Sequence, residues 1–357
     1  MRLIDLTDAN SGLTAFVVID HDLFPVSAGG TRMLPDVDVR EIARLARAMT
    51  WKFAAARVPY AGAKAGVRFA GSDRAGVLAA YRRALEPYRD VFLTGPDMGT
   101  SPHDFLDGGG GPLPLWAQTH EGLGMDDLAT GHGVKAAAEA ALAHLGRPLS
   151  GATVAIEGFG KVGAGAARAF ERAGARVIGV STVAGLVADT GGLAVEDLIA
   201  LRTRHGDNLV HHAGAPARPR EELFELDCDV LVPGARPDSI TPDVAGRVRC
   251  AVVAPAANAP YHRDAVVVLH ERGIVAVPDF VANAGGVHLY VSVSNDDAPD
   301  TALAVIEGKI RGAVAQTLAT ADEHGLTPLA AALHTGRAYL AEATGAPDAE
   351  LDELFAT

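Results

Sequence analysis

Two lysines and one aspartate stand out in the first hundred residues, each set among small or apolar neighbours: Lys52 in Met-Thr-Trp-Lys, Lys64 in Gly-Ala-Lys-Ala and Asp97 in Gly-Pro-Asp-Met-Gly-Thr. An ammonium pairs with a carboxylate, and a lysine that is buried beside a second cation is driven to lose its proton near neutral pH. Lys64, flanked by Gly62, Ala63, Ala65 and Gly66, has the setting for burial. Together the three side chains could anchor a substrate carboxylate and divide proton traffic between an acid and a base. Taken singly, each has a plainer reading. Lys52 would cap a helix dipole, Asp97 would close a turn, and Lys64 would be structural.

A second constellation lies downstream. The apolar run Val154-Ala-Ile-Glu157 leads into Gly158-Phe159-Gly160-Lys161-Val162-Gly163 and then an alanine-rich stretch. This is the strand, turn and helix of a dinucleotide site: the first glycine permits the turn, the second admits the pyrophosphate and the third allows close helix packing. The helix N-terminus offers unpaired N–H groups to the phosphates. The next strand ends at Ser181-Thr182 without the acid that chelates a ribose diol, so nothing there repels a 2′-phosphate. Lys161 and Arg176 are the cations that could reach such a phosphate. The expectation is tolerance of both NAD and NADP, with NAD ahead. A dinucleotide turn combined with a proton-moving set implies hydride transfer.

Alternating patterns supply the elements that must position these groups. Residues 15–20 read as a strand and Gly29-Gly30-Thr-Arg-Met as a turn. Asp38 caps a helix from Val39 whose apolar residues Ile42, Leu45, Ala46, Met49 and Phe53 recur at helical spacing, with Lys52 near its end. The segment around Lys64 is too rich in Gly, Pro and Ala for a surface helix and reads as a loop turning into a strand. Residues 108–111, four glycines, read as a flexible excursion, and Ala129-Thr-Gly-His-Gly-Val opens a long helix. Strands near 153–157, 176–180, 229–232, 250–253 and 274–277 alternate with helices, which predicts a parallel, doubly wound sheet. Residues 301–320 form an amphipathic helix and the tail from Thr327 is helical.

Composition narrows the classes. The chain has 357 residues, of which 48% are hydrophobic, enough for two cores. Its net charge of −13 argues against nucleic acid or an anionic membrane as partner. The acidic N-terminus lacks the apolar run of a signal peptide, which predicts a cytoplasmic location. Cys228 and Cys250 lie in apolar strand-like runs and read as free buried thiols. The 13 histidines follow no ligand spacing, so no metal site is expected.

Eight motifs in one order resemble the glutamate/leucine/phenylalanine/valine dehydrogenase superfamily over nearly the whole chain: Gly29-Gly-Thr-Arg-Met33, Met49-Thr-Trp-Lys52, Gly62-Ala-Lys-Ala65, Gly95-Pro-Asp-Met-Gly-Thr100, Ala129-Thr-Gly-His-Gly133, Gly158 to Gly163, Ala254-Pro-Ala-Ala-Asn258 and Pro278 to Gly286. The resemblance implies an N-terminal α/β substrate domain over 1–128, a Rossmann-type doubly wound domain over 129–302, a cleft between them, and helices of 303–357 packing back on the first. It implies oxidative deamination of an L-amino acid to a 2-oxo acid and ammonium with NAD or NADP, by a homo-oligomer. It assigns Lys52 to the substrate α-carboxylate with Gly29 and Gly30 beside it, Lys64 to activation of water, and Asp97 to the substrate nitrogen. Thr130, Ala257, Asn258 and Asn283 match positions around the nicotinamide, its ribose and the substrate carboxylate.

The resemblance also bears on the substrate. Glutamate enzymes carry a lysine before the first Gly-Gly, where this chain has Ala28. A buried carboxylate without that cation costs on the order of several kcal/mol. Ala28 and Gly95 are small, as in phenylalanine enzymes, while Val287 and Tyr290 complete the side-chain pocket. A large apolar or aromatic substrate is therefore expected, in the leucine/phenylalanine branch. Residues 180–198 resemble the glutamate branch instead, Ala259-Pro260 departs from the usual continuation after Asn258, and Arg236-Pro237 departs from the family pattern. The alternatives are a glutamate dehydrogenase, a catalytically silent nucleotide-binding relative, and a hydroxy-acid dehydrogenase.

Overall fold

An apolar strand and two strands rich in glycine and alanine form the centre of the first sheet. In a computed structural model, which describes residues 1–106 and 113–355, β1 (Arg2–Asp5) pairs antiparallel with β2 (Ala15–Ile19). There follow β3 (Ser27–Leu34), α1 (Val39–Ala55), β4 (Ala61–Arg68), α2 (Arg74–Leu85) and β5 (Phe92–Pro96). Among the described residues the sheet has five strands in the order β1-β2-β4-β3-β5. β3 runs parallel to both β4 and β5, and β2 pairs antiparallel with β4. The glycine run 108–111 lies outside the described residues.

Asp38 caps α1 as its sequence predicts, its carboxylate accepting the Glu41 N–H, and Ile42, Ala46 and Phe53 are buried beneath the helix. The helix lies close on β4 because Gly62 has no side chain; a Cβ there would overlap the Thr50 nitrogen and the Ala46 carbonyl oxygen. One local expectation is corrected. Gly29 and Gly30 are interior to strand β3 rather than in a turn. A Cβ on Gly29 would overlap the Ala63 carbonyl oxygen, so glycine serves close backbone approach there and not reversal of the chain.

The chain continues through the hairpin β6 (Thr119–His120) and β7 (Leu123–Gly124) into α3 (Met125–His144). Next come β8 (Thr153–Glu157), α4 (Lys161–Arg172), β9 (Arg176–Thr182), β10 (Gly185–Ala188), α5 (Val195–His205), β11 (Val230–Pro233), α6 (Pro242–Arg247), β12 (Val252–Val253), α7 (Arg263–Glu271) and β13 (Val275–Ala276). The described strands order as β10-β9-β8-β11-β12-β13. The sheet is parallel from β9 to β13, as expected for a doubly wound fold, and its order reverses between β8 and β11. β10 adds an antiparallel edge on β9. Its core includes Ala155, Ile178, Leu231, Val253 and Leu269.

Short helices α8 (Asp279–Ala282) and α9 (Gly285–Val291) precede α10 (Pro299–His324), α11 (Pro328–Thr344) and α12 (Asp348–Phe355). The chain divides into two compact units, Met1–Leu113 with Leu333–Thr357, and Pro114–Ala332. These boundaries differ from the expected 128/129 and 302/303. α10 belongs to the second unit because it packs along α3, where Ile310 fills the space left by Gly133. The C-terminal segment of the first unit is held by Trp51 Nε1 donating to the Leu354 carbonyl and by Arg47 donating to the Glu353 carbonyl, each at 2.8 Å. Cys228 and Cys250 are unbridged. Burial pushes both thiols up, Cys250 to about 12. Among the described residues no helix is long and apolar enough to cross a membrane.

Candidate active site

Three strands of the first unit converge on one charged group. The register that pairs Ala28 with Gly62 and Thr31 with Ala65 sets Gly30 against Lys64 on β4, and Gly30 pairs with Gly95 on β5. A Cβ on Gly30 would stand 2.7 Å from the Pro96 carbonyl oxygen, 3.0 Å from Asp97 Cβ and 3.2 Å from Lys64 Nζ. The glycine thus leaves the gap in which the two charges meet. Lys64 Nζ lies 3.2 Å from Asp97 Oδ2, with the lysine side chain only 8% exposed. Ala28, Gly29, Gly30, Gly95 and Asp97 are all partly exposed along this end of the sheet.

A second cation, to which no role was assigned from the sequence, completes the group. Arg32 Nε donates to Asp97 Oδ2 at 2.9 Å, and the same guanidinium pairs with Glu41 on α1. Burial alone would raise the Asp97 carboxyl, but Lys64 and Arg32 outweigh it and hold Asp97 below the ordinary carboxylate range. The loop bearing Asp97 is stitched to β3. Thr100 Oγ1 donates to the Thr31 carbonyl and accepts the Asp97 N–H, while Met33 N–H donates to the Met98 carbonyl. Gly99 closes the loop with φ +79°. Lys52 is partly buried in the last turn of α1, two residues beyond the Thr50 contact with Gly62.

In the second unit the three glycines of the turn differ in their surroundings. Gly158 has φ +85°, a left-handed conformation that favours glycine. A Cβ on Gly163 would overlap the Gly158 carbonyl oxygen, whereas a Cβ on Gly160 would meet nothing within 4 Å. Gly160 therefore faces open space at the N-terminus of α4, which has no side-chain cap. That is the space and donor set a pyrophosphate requires. Lys161 is exposed and Val162 partly so. The Phe159 side chain is a core residue, so its backbone is what lines the turn.

Ser181 and Thr182 end β9 beside this turn. The Ser181 carbonyl accepts from Gly158 and Phe159 N–H groups. The Thr182 hydroxyl is committed to the protein, donating to the Asp207 carbonyl at 2.7 Å. Arg176 is removed from the turn: it opens β9 opposite Thr153 and donates to the Thr190 carbonyl. Five residues of strand, roughly 16 Å, separate it from Ser181. Besides Lys161 within the turn, Arg202 of α5 stands beside it, its Nε donating to the Phe159 carbonyl at 2.7 Å. It lies outside the fingerprint spacing, so no local pattern marks it.

The third cluster gathers on α3, α8 and α9. Asn283 caps α8 and is buried; its Nδ2 donates to the Ala257 carbonyl at 3.0 Å and to Asn258 Oδ1 at 3.1 Å. Among the described residues its Oδ1 is buried without a hydrogen-bond donor. Ala259, next to Asn258, sits at φ 49° and is held there by its N–H donating to the Asp279 carboxylate. Thr130 donates to the Asp126 carbonyl. α9 approaches Ala129 and Thr130 because Gly285 lacks a Cβ. Val287 and Tyr290 are both accessible on α9, and Tyr290 packs against Trp116.

Residues 122–346 match the family described as Glutamate/Leucine/Phenylalanine/Valine dehydrogenase, and residues 4–106 match Glu/Leu/Phe/Val dehydrogenase, dimerisation domain. Glutamate dehydrogenase A2 of Halobacterium salinarum is 35% identical over 279 residues, 72% of this chain and 66% of that protein, just under two thirds of its length. NADP-specific glutamate dehydrogenase A1 of the same organism is 33% identical with the same coverage. Among solved structures, the hetero-hexameric glutamate dehydrogenase of Thermus thermophilus in its leucine-bound form superposes with a TM-score of 0.81 at 26% identity, covering 96% of this chain and 89% of that one.

Proposed function

The chain belongs to the Glutamate/Leucine/Phenylalanine/Valine dehydrogenase family, and from that premise we propose that it catalyses reversible oxidative deamination of an L-amino acid to a 2-oxo acid and ammonium. The observation that carries the reading is the buried contact of Lys64 Nζ with Asp97 Oδ2 at 3.2 Å. Lys52 binds the substrate α-carboxylate, and the Gly29-Gly30 backbone leaves room beside it. Asp97 Oδ2 takes the proton from the substrate nitrogen. Lys64 Nζ takes the proton from the water that adds to the α-carbon once hydride has left it, and Asp97 returns its proton to the nitrogen as the C–N bond breaks and ammonia leaves. Because the two groups touch, a proton passes between them without a solvent relay. Arg32 orients the carboxylate throughout.

NAD or NADP, when bound, supplies the hydride acceptor. Gly158, Gly160 and Gly163 hold its pyrophosphate with the N-terminus of α4, and Asn283, Asn258 and Thr130 orient the nicotinamide end. Arg202 is the cation that would meet a 2′-phosphate. Ala28 and Gly95 leave the side-chain pocket roomy and without a counter-charge, which supports a large apolar or aromatic amino acid over glutamate, the substrate in the relatives' names. The reading includes a homo-oligomer, supported by the dimerisation-domain match, and a cytoplasmic location, supported by the two unbridged thiols.

A panel of L-amino acids assayed for nicotinamide reduction with each cofactor tests the proposal. Turnover should appear with apolar or aromatic amino acids and fall at least about 100-fold in Lys64→Ala. Turnover with hydroxy acids alone, or with neither class, would overturn it.

A further inference from the structure

Among the described residues four buried side-chain polar atoms lack a hydrogen-bond partner, and three of them belong to the second unit: Glu157 Oε2, Ser239 Oγ and Asn283 Oδ1. Glu157 ends β8, and Ser239 closes the loop 234–239 that follows β11. Both therefore stand at the carboxyl ends of the two strands between which the sheet order reverses, the place where an open α/β sheet receives its ligand. The loop is the one whose Arg236-Pro237 departs from the family pattern. It packs on the dinucleotide turn. A Cβ on Gly158 would stand 3.1 Å from the Ala235 backbone, and a Cβ on Gly234 would stand 2.7 Å from the Glu157 carbonyl oxygen. A shift of the loop is thus felt at Gly158.

Glu157 is 7% exposed and Ser239 3%. The neighbours of Glu157 across the sheet, Ser181 of β9 and Pro233 of β11, carry no charge. Burial pushes the Glu157 carboxyl up, and Ser239, the Ala235 N–H, the Arg236 guanidinium and the Gly234 N–H only partly offset it. Arg236 is itself exposed, so solvent screens it. A carboxylate here would be a buried charge with no cation in contact. A neutral acid instead offers both a donor and an acceptor, which matches a hydroxyl that is both. We propose that Glu157 is a positioning residue for the cofactor: as a neutral acid it latches the 234–239 loop onto the dinucleotide turn through Ser239, and loss of its proton weakens dinucleotide binding. The proposal rests on the reading of Gly158 to Gly163 as the pyrophosphate site. Two effects of ionisation act in the same direction. The carboxylate draws water and loosens the loop from Gly158, and it places a negative charge three residues before Gly160, where the anionic pyrophosphate is held. By linkage, affinity falls as pH rises through the value of a group that binding requires protonated.

Titration calorimetry with NAD and with NADP, from about pH 6 to about pH 9, reads this coupling. Kd should rise at least about tenfold across that range in the unmodified protein. Glu157→Gln keeps the shape and stays neutral, so it should bind as the unmodified protein does at about pH 6 and lose most of the rise. Glu157→Ala should bind weakly at every pH. Other groups that titrate affect the unmodified protein and Glu157→Gln alike, so the difference between their profiles belongs to Glu157. Should Glu157→Gln fail to fold, Ser239→Ala takes its place and should raise Kd at about pH 6 at least about threefold; an unchanged Kd there overturns the latch. Equal pH profiles in the unmodified protein and Glu157→Gln overturn this inference alone. Absence of binding of either dinucleotide at every pH would remove the reading of the turn as well.

Discussion

Replacing Arg32 with methionine removes one of the two cations on Asp97 while keeping the side chain's length and most of its packing. The Arg32–Asp97 bond is 2.9 Å long, and the two side chains are 11% and 15% exposed. A charge-assisted hydrogen bond in that setting contributes about 1.5–3 kcal/mol, equivalent to about 1–2 units in the proton affinity of Asp97. Lys64 remains at 3.2 Å, so Asp97 keeps a partner and the loss stays below the roughly 3–5 kcal/mol of stranding a buried charge. Because folding holds Asp97 below its ordinary range, its contribution to stability is present above the unfolded value near about 3.9 and vanishes as pH falls through the folded one. Denaturant unfolding of Arg32→Met should therefore show a deficit of about 1.5–3 kcal/mol at about pH 7 that shrinks below about pH 4. The acid limb of the kcat/KM profile should move up by about 1–2 units. An unmoved acid limb together with unreduced stability at neutral pH would refute the assignment of Arg32.

Two further outcomes concern the dinucleotide turn. Gly160→Ala should leave the melting temperature essentially unchanged, since its Cβ meets nothing in the protein, yet weaken NAD and NADP binding at least about tenfold by occupying pyrophosphate space; titration calorimetry alongside thermal unfolding separates the two effects, and normal binding would contradict the placement of the phosphates. Arg202→Ala should raise KM for NADP about tenfold or more, with a smaller rise for NAD, because it removes a cation held against the dinucleotide turn; equal effects on both cofactors would make Arg202 a brace for the Phe159 carbonyl only.

Much of the site was legible because its parts are local. The Gly158 to Gly163 turn obeys a steric rule written within six residues: Gly158 takes a positive φ, Gly163 packs on the Gly158 carbonyl, and Gly160 faces open space. Lys64 and Asp97 each read singly as structural, and it is as a set within ordered motifs that they point to chemistry; the sheet brings them to 3.2 Å. Arg32 escaped for a specific reason. Reading Gly29-Gly30 as a turn hid the alternation that puts Gly30 and Arg32 on one face of β3, two residues apart. Had the segment been read as a strand, Arg32 would have followed Gly30 toward the same partners. Arg202 and the return of the chain at Leu333 are non-local. The amphipathic pattern of residues 301–320 marks a buried face without declaring which unit covers it, and α10 packs along α3 in the second unit.

The glycines of α3 carry a cost that falls on folding rather than on chemistry. Gly131 admits the backbone of α4 at Gly165-Ala166, and Gly133 admits Ile310 of α10. Each glycine inside a helix forfeits about 1 kcal/mol of intrinsic stability relative to alanine. The segment that holds the Ala129 to Gly133 motif is thus a poor helix by itself and draws its stability from neighbours far along the chain. It cannot serve as an early local nucleus, and the second unit should assemble only once α10 has been synthesised and has docked. A chain truncated before Pro299 would leave α3 without that support, so the motif's geometry is a property of the whole unit and not of the residues that spell it.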